Sequence, residues 1–440
     1  MQPIVVKFGG SSLASAAQIE KAAAIIRQNP NRRYVVASAP GKRNAADTKV
    51  TDLLYRCCDA ALAGEDFSPV LAEIHGRFSS IAKDLAVSFP VDEELSEIET
   101  HLRNHPQRDY MASRGEYLNS KLIAAYLDIP FVDPADSVLF REDGTFDSET
   151  TNARLAAALR DLPRAVIAGF YGALPDGTVH TFSRGGSDIT GSLVARAVNA
   201  SLYENWTDVS GMLVTDPRIV PNPKAIDYIT YTELRELSYM GASVLHEDAV
   251  FPVRAAGIPI NIRNTNHPDD AGTMIAPHLP PEADGKIVTG IAGRKGFTNI
   301  QIEKAMMNAE IGLGACVLQV LSSFGVPFEH LPSGIDTLSV VVTTSLLAPV
   351  REQVLEALQR EVRPDSISIE DHLSLVAVVG HGMVRTKGIA ARVFQAIAVA
   401  DVNIRMIDQG SSELNIIIGV SDDDYEAVIR SLYRAFEALL

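Results

Sequence analysis

A charged, glycine-containing loop at residues 184–188 is the first feature of this sequence that could do chemistry. Arg184 and Asp188 flank a pair of glycines, and a helical pattern follows them. Two interpretations compete. The loop could be an ordinary helix N-cap with a solvated arginine. Alternatively, it could receive a charged ligand, because a guanidinium binds carboxylates as a fork and a helix N-terminus carries partial positive charge.

A second loop of this kind follows the first apolar run of the chain, IVVKF. Lys7 lies near the end of that run, and Gly9, Gly10 and Ser11 come next. Glycines let backbone N–H groups approach phosphate oxygens closely, the following helix adds its N-terminal dipole, and Lys7 adds a point charge. A plain turn is the alternative, because glycine pairs commonly form turns.

Three further polar segments contain candidate residues. Residues 35–54 combine a strand end with Gly, Ser, Lys and Thr. Residues 113–122 contain Glu116, which follows Ser113 by three positions. A capping box at a helix that begins at residue 113 is therefore the alternative to a functional role. The third segment contains a cluster of Thr207, Asp208, Asp216 and Arg218.

The elements around these segments predict an open α/β sheet. Short apolar runs, such as residues 4–8 and 33–40, alternate with helical patterns as far as residue 285. This alternation is typical of a mainly parallel sheet covered by helices on both faces. Ligands of such sheets bind outside the carboxyl ends of the strands. Because all five polar segments follow apolar runs, we expect them to meet at one edge of the sheet.

The last part of the chain contains an internal repeat. Placing Gly312 on Gly388 gives an offset of 76 residues (388 − 312), which also matches Leu338 to Leu414 without gaps. Each copy has the pattern strand, helix, two strands, helix. We therefore predict a tandem pair of ferredoxin-like α+β modules. Residues 265–285, rich in Pro, Asp and Gly, are predicted to be the linker before them.

Composition argues against several classes of protein. The 440 residues carry a formal net charge of −16, so neither nucleic acid nor a membrane surface is expected as a partner. The three cysteines form no C-x-x-C pair, so we expect a cytoplasmic protein without a disulfide framework or zinc cluster. We expect neither a signal peptide nor a membrane span. No P-loop, nucleophile elbow or zinc-protease motif is complete.

Five stretches, in this order, resemble the aspartate kinases of the amino acid kinase superfamily: KFGGSSLA, SRGEYLNSKL, SRGGSDITGSLVARAVNA, WTDVSGMLVTDPR and MGASVLHEDAVFPVRAAGIPINIRNT. The C-terminal repeat resembles the paired ACT domains of that family. The resemblance implies an amino acid kinase domain over residues 1–285 and ACT modules over 286–369 and 370–440. One strand of the first module could be shared with the second.

The resemblance also implies an activity. The γ-phosphoryl group of ATP would pass, with Mg²⁺, to the β-carboxylate of L-aspartate, which is the first step of lysine, threonine and methionine biosynthesis. Lys7 and Asp188 would be catalytic, and no protein ligand to a metal is implied. The substrate would be bound by Thr51, Glu116, Arg184 and Ser187. The nucleotide would be bound by Lys7, Gly9, Gly10, Ser11, Thr207, Asp208 and Arg218.

One position departs from the family pattern. Where the family commonly has a lysine associated with nucleotide binding, this chain has Ser243. Either another cation replaces that lysine or nucleotide affinity is reduced.

The paired ACT modules imply feedback control by lysine or threonine and assembly as a homodimer or homotetramer. The effector would be bound by Met307, Glu310, Gly312 and Glu329, although these residues could instead only shape a turn. Two other functions stay open. One is a sibling kinase that acts on glutamate or N-acetylglutamate. The other is a non-catalytic amino-acid sensor on a kinase scaffold.

Overall fold

The computed structural model describes residues 2–183, 185–242, 245, 247–281 and 285–440. The chain forms two compact units. The first comprises Met1–Met212, Ala225–Tyr231 and Val244–Leu279, and the second comprises Leu213–Lys224, Thr232–Ser243 and Pro280–Leu440. No helix in the described ranges is both long and apolar enough to cross a membrane.

The first unit alternates strands and helices, as predicted. Its strands are β1 (Ile4–Phe8), β2 (Arg32–Ala37), β3 (Phe131–Val132), β4 (Ala165–Ala168), β5 (Tyr171–Ala173), β6 (Val179–Thr181), β7 (Leu202–Thr207), β8 (Tyr228–Thr230), β9 (Ile260–Asn264) and β10 (Thr273–Ala276). Its helices are α1 (Ala16–Gln28), α2 (Val50–Ala63), α3 (Ser68–Asp84), α4 (Val91–Asn104), α5 (Arg108–Leu127), α6 (Ser148–Leu159), α7 (Gly186–Ala197) and α9 (Glu247–Ala256).

Eight of these strands form one sheet in the order β3-β4-β2-β1-β7-β9-β10-β8. All pairs are parallel except β9–β10. Val5 and Val6 have no exposed surface, as expected for a central strand covered on both faces. The predicted, mainly parallel sheet is therefore confirmed. Strands β5 and β6 form a separate antiparallel hairpin.

Two predictions about the first unit are wrong. Helix α5 begins at Arg108, so Ser113 and Glu116 lie in its interior and form no capping box. The helix extends further because Met111 and Ala112 are fully buried, and packing overrides the cap signal. The expected linker, residues 265–285, contains strand β10, which pairs with β9 and β8.

The second unit contains a six-stranded sheet in the order β12-β13-β11-β14-β16-β15, with every pair antiparallel. Its strands are β11 (Gly290–Glu303), β12 (Phe328–His330), β13 (Thr337–Thr343), β14 (Ser366–Val379), β15 (Met406–Asp408) and β16 (Asn415–Ser421). Its helices are most of α8 (Tyr231–Tyr239), α10 (Leu313–Ser323), α11 (Thr344–Leu347), α12 (Arg351–Val362), α13 (Ile389–Val399) and α14 (Tyr425–Phe436).

The predicted repeat is present in this unit, with one correction. Gly312 precedes α10 and Gly388 precedes α13, with left-handed φ angles of 89° and 88°. The connection after α13 is two residues longer than the one after α10, so the offset of 76 ends there. Leu338 therefore does not match Leu414. A shift of two residues leaves every side chain on the same face of a strand, so the ungapped match concealed it.

The two copies share strands. The long strands β11 and β14 pair with each other along most of their length. In addition, β11 pairs with β13 of the first copy, and β14 pairs with β16 of the second. The predicted boundary between residues 369 and 370 falls inside β14, and the division into three domains stays a proposal.

Candidate active site

A buried lysine stands at the carboxyl edge of the parallel sheet. Lys7, on β1, is 7% exposed, and its Nζ lies 2.6 Å from Oδ1 of Asp188. Asn205, its neighbour on β7, donates from Nδ2 to the same oxygen at 2.8 Å. Asp188 is in the first turn of α7, after Gly185, which has a left-handed φ of 60°. The cluster thus joins two strands and the N-terminus of one helix.

Asn205 was missed by the sequence analysis. The sequence shows only a polar residue within the strand YENWT, and the register between β1 and β7 is what places it beside Lys7. A register between distant strands cannot be obtained from either strand alone.

Glu116 is a buried carboxyl group whose charge is only partly compensated. It is 6% exposed, and burial raises its pKa to about 8. Backbone N–H groups, first that of Ala39, and the positive charge of Lys7 oppose that rise in pKa. Its Oε2 is buried without a hydrogen-bond partner among the described residues. Such an atom is suited to receive a cationic donor from a ligand.

Three glycines allow the elements around Glu116 to interlock. The N–H of Gly41 donates to the carbonyl oxygen of Gly10 at 2.8 Å, and a Cβ at Gly41 would lie 2.6 Å from the Gly10 carbonyl carbon. A Cβ at Gly115 would lie 2.7 Å from Cβ of Ala39 and 3.7 Å from Oγ1 of Thr51. The loop after β2 therefore meets the loop after β1 at Gly10 and helix α5 at Gly115, at distances that only glycine permits. Thr51 lies beside Gly115, the residue that precedes Glu116.

Ser187 lies at the same edge. It is 8% exposed, and a Cβ at Gly169, directly after β4, would lie 2.5 Å from its Oγ. The start of α7 therefore packs directly against the end of β4. Arg184 and Ser243 lie outside the described residues.

The expectation that all five polar segments follow strands of the main sheet is wrong for two of them. Residues 113–122 lie inside α5, and residues 181–200 follow the β5–β6 hairpin. Contacts of Glu116 with Ala39 and of Ser187 with Gly169 nevertheless bring both segments to the carboxyl edge of the sheet.

The predicted nucleotide residues are only partly brought together. Ser11 lies in the turn Gly10–Leu13 after β1, which Gly9 precedes. Thr207 ends β7, and its Oγ1 lies 3.3 Å from Oδ1 of Asp208. Arg218 belongs to the second unit, where its side chain is 88% exposed and pairs with Asp216 at 2.6 Å.

The predicted effector residues lie at two places in the second unit. Met307 is buried, Glu310 pairs with Lys304 at 2.5 Å, and Gly312 begins α10. Glu329, on β12, accepts bonds at the other end of β13. Its donors are Arg294 at 3.0 Å, Thr343 at 2.8 Å and the hydroxyl of Tyr239.

Comparisons with known proteins agree with this architecture. Residues 2–264 match the amino acid kinase family, and residues 376–436 match the ACT domain. Aspartokinase 3 of Bacillus subtilis is 41% identical over 99% of this chain and 98% of its own length.

Solved structures give the same result. The aspartate kinase of Clostridium acetobutylicum superposes with a TM-score of 0.90 at 47% identity, covering 99% of this chain and 100% of that one. Escherichia coli aspartokinase III in complex with aspartate and ADP has a TM-score of 0.76 at 25% identity, with the same coverage. Its complex with lysine and aspartate has a TM-score of 0.73 at 25% identity, covering 99% of each chain. The chain therefore belongs to the aspartokinases of the amino acid kinase family.

Proposed function

We propose that this chain transfers the γ-phosphoryl group of ATP to the β-carboxylate of L-aspartate, giving ADP and 4-phospho-L-aspartate. The observation that carries the proposal is that a buried cation, Lys7, and a buried carboxyl group, Glu116, lie at the same sheet edge, where the charge of Lys7 acts on the pKa of Glu116. The E. coli relative binds aspartate together with ADP, which supports the same pair of ligands here.

The chemistry needs positioning more than proton transfer. A carboxylate acceptor is ionised near neutral pH, so no strong general base is required. The barrier falls when the phosphoryl group is aligned and its charge is neutralised. Lys7 would neutralise that charge, and Asp188, 2.6 Å from it, would hold the ammonium group in place.

The substrate would bind by opposite charges. Glu116 would accept the α-ammonium group of aspartate, since its Oε2 has no described partner. Arg184 would bind the α-carboxylate as a bidentate fork, and Thr51 and Ser187 would add hydroxyl donors. The nucleotide would contact Gly9, Gly10, Ser11, Thr207, Asp208 and Arg218.

Mg²⁺ fits this site as a companion of the nucleotide. The described residues contain no group of three or more His, Cys, Asp or Glu side chains arranged to hold a metal ion. Mg²⁺ usually combines substrate phosphates and waters with one or two carboxylates. Asp188 is the carboxylate beside Lys7 that would serve. When bound, the ion would neutralise phosphate charge.

The activity is tested by measuring ADP release and hydroxamate formation with aspartate, glutamate and N-acetylglutamate. We expect turnover with aspartate and little with the other two. Turnover with glutamate or N-acetylglutamate would identify a sibling kinase, and no turnover with any of them would favour the sensor.

Arg184→Lys tests how the substrate is oriented. The variant keeps the charge but loses the planar fork, so it should raise the KM for aspartate more than the KM for ATP. Steady-state kinetics with each substrate varied in turn measures both. A larger rise in the KM for ATP would reverse the assignment of the two half-sites.

The regulatory unit would bind lysine or threonine and inhibit the kinase, within a cytoplasmic homodimer or homotetramer. The E. coli relative binds lysine in its T-state. The two copies of the repeat offer a matched test, because Gly312 and Gly388 have nearly equal φ angles and open space where a Cβ would stand. Aspartate at either position therefore strains the backbone equally.

We expect Gly312→Asp to raise the lysine or threonine concentration needed for inhibition by roughly 5- to 150-fold, a typical coupling of ~1–3 kcal/mol. Gly388→Asp should leave inhibition intact. Titration of both amino acids against each variant measures this. Equal relief of inhibition by the two variants would mean that backbone strain, rather than loss of an effector contact, causes the change. If neither amino acid inhibits the unaltered protein, the repeat serves assembly only.

A further inference from the structure

A buried arginine outside the proposed site, Arg77 on α3, bonds to the loops that form it. The residue is 3% exposed. Its Nη1 donates to Oδ2 of Asp47 at 2.9 Å and to the carbonyl of Thr48 at 3.2 Å. Its Nη2 donates to the carbonyls of Gly41 at 2.9 Å and Ala14 at 3.4 Å. One guanidinium thus has four acceptors on two nitrogens.

These acceptors belong to two different loops. Ala14 directly follows the turn Gly10–Leu13, which is the predicted phosphate-binding loop after β1. Gly41, Asp47 and Thr48 lie in the loop between β2 and α2. The loops also touch each other at the Gly10–Gly41 hydrogen bond of 2.8 Å. Arg77 therefore binds both loops on the buried side of the point where they meet.

The loop after β2 reaches the proposed substrate residues at both of its ends. Near its start, the backbone N–H of Ala39 donates to the carboxylate of Glu116. At its end, Thr51 lies in the first turn of α2. A shift of this loop would therefore move two substrate contacts relative to the loop after β1.

Asp47 holds Arg77 in this orientation. Its carboxylate accepts from Arg77 and also from Arg43, whose Nε and Nη2 each lie 2.9 Å from it. These guanidinium groups, first that of Arg43, hold the pKa of Asp47 well below its usual range. The carboxylate is therefore charged at neutral pH, where it forms the ion pair with Arg77.

We propose that Arg77 is a positioning residue for phosphoryl transfer, because its guanidinium fixes the loops after β1 and β2 against each other. The inference rests on the proposed function of those loops. A misplacement of about 1 Å in such a site can cost ~100-fold in rate, which is why a residue remote from the reacting atoms can matter.

Arg77→Lys tests the proposal. Lysine keeps the charge but has one nitrogen, which cannot serve four acceptors that two nitrogens now serve. We expect a folded variant whose kcat/KM falls roughly 10- to 100-fold for aspartate and for ATP alike, since both loops move. Circular dichroism melting and steady-state kinetics with each substrate varied measure the two properties.

Two control variants separate positioning from other effects. Arg43→Ala removes only the half-exposed guanidinium partner of Asp47. The backbone N–H of residue 43 and the guanidinium of Arg77 still donate to that carboxylate, so kcat/KM should change by no more than about twofold. Thr51→Ala removes a proposed substrate contact and should raise the KM for aspartate alone. Loss of kcat/KM for both substrates in Arg77→Lys, without a large fall in Tm, supports the proposal.

Three other outcomes would decide against the proposal or against the proposed function, or would require a second variant. A folded Arg77→Lys with normal kinetics overturns the proposal. If that variant does not fold, Asp47→Asn decides: it must lower kcat/KM for both substrates several-fold more than Arg43→Ala does, and equal effects overturn the inference. If the unaltered protein forms no ADP with aspartate, the proposed function has failed instead.

Discussion

Two buried ion pairs of the first unit, Lys7–Asp188 and Arg32–Glu204, have different surroundings. Arg32 begins β2, at the amino edge of the sheet, whereas Lys7 lies near the carboxyl end of β1. Arg32 donates to Glu204 at 2.8 and 3.1 Å and to the carbonyl of Ile25 at 2.6 Å. Trp206 adds a third donor to Glu204, from Nε1 at 2.8 Å. Helix and strand residues supply all of these groups.

The pair at the carboxyl edge is surrounded differently. Lys7 and Asp188 stand beside glycine loops, and the nearby carboxyl of Glu116 has an oxygen without a described partner. A buried charge that is fully bonded by rigid elements holds the sheet together. A buried charge beside loops and an unsatisfied polar atom is available to a ligand. Satisfaction of hydrogen bonds, more than burial, distinguishes the two sites.

The largest expected effect is on stability at the amino edge. Arg32→Met leaves Glu204 buried without its charged partner, which should cost about 3–5 kcal/mol of unfolding free energy. Urea denaturation measures the loss. Arg32→Met combined with Glu204→Leu should recover much of it, because both charges are then absent. If Arg32→Met alone is as stable as the unaltered protein, the Arg32–Glu204 pair does not have the structural role that distinguishes it from Lys7–Asp188.

At the carboxyl edge the expected effect is on catalysis. Lys7→Ala should keep the fold and lower kcat by at least ~100-fold, because the transferring phosphoryl group loses a cation. Turnover assays at saturating substrate, together with a urea titration, measure both properties. Near-normal turnover in the folded variant would show that Lys7 does not act on the phosphoryl group and that its loop is an ordinary turn.

At Glu116 the expected effect is a dependence on pH. Its folded pKa of about 8 exceeds the unfolded value of about 4.3. Between these values the folded state binds more protons, so unfolding free energy falls as pH rises, by at most about 1.4 kcal/mol per pH unit. Glu116→Gln should flatten this slope, as measured by urea denaturation from pH 5 to 8.

Aspartate binding should change in the opposite direction, because the α-ammonium group needs the charged carboxylate. The KM for aspartate should fall as pH rises toward and above 8 in the unaltered protein, and it should be higher and nearly constant in Glu116→Gln. Equal pH slopes in the two proteins would show that Glu116 does not face the substrate.

The same contrast explains what the sequence could predict. Lys7 and its glycines were predictable because a strand end, a turn and a charge are adjacent in the chain. Arg32 and Arg77 were not, because an arginine in isolation predicts exposure and their partners are distant in sequence. The start of α5 was mispredicted because Ser113 and Glu116 fit a capping pattern, while the burial of Met111 is a tertiary effect.

The fold class was easier to predict from the sequence than the register of the strands and the pairing of side chains. Alternating periodicity over β1, β2 and β4 was enough for a parallel sheet, and the helices after Gly312 and Gly388 were enough for the repeat. The two-residue change of offset within the repeat could not be predicted from the sequence, because the apolar runs of β13 and β16 fit either alignment. Side-chain pairing such as Lys7–Asn205 depends on register, which requires the assembled sheet.

The sharing of β11 and β14 between the two copies of the repeat has an evolutionary consequence. A gene duplication would have produced two independent modules, each able to be lost, exchanged or inherited alone. Each long strand completes the hydrogen bonding of both copies. Deletion of one copy would therefore leave an unpaired strand edge in the remaining copy. The two halves therefore form one structural unit, and neither can be lost alone without leaving such an edge.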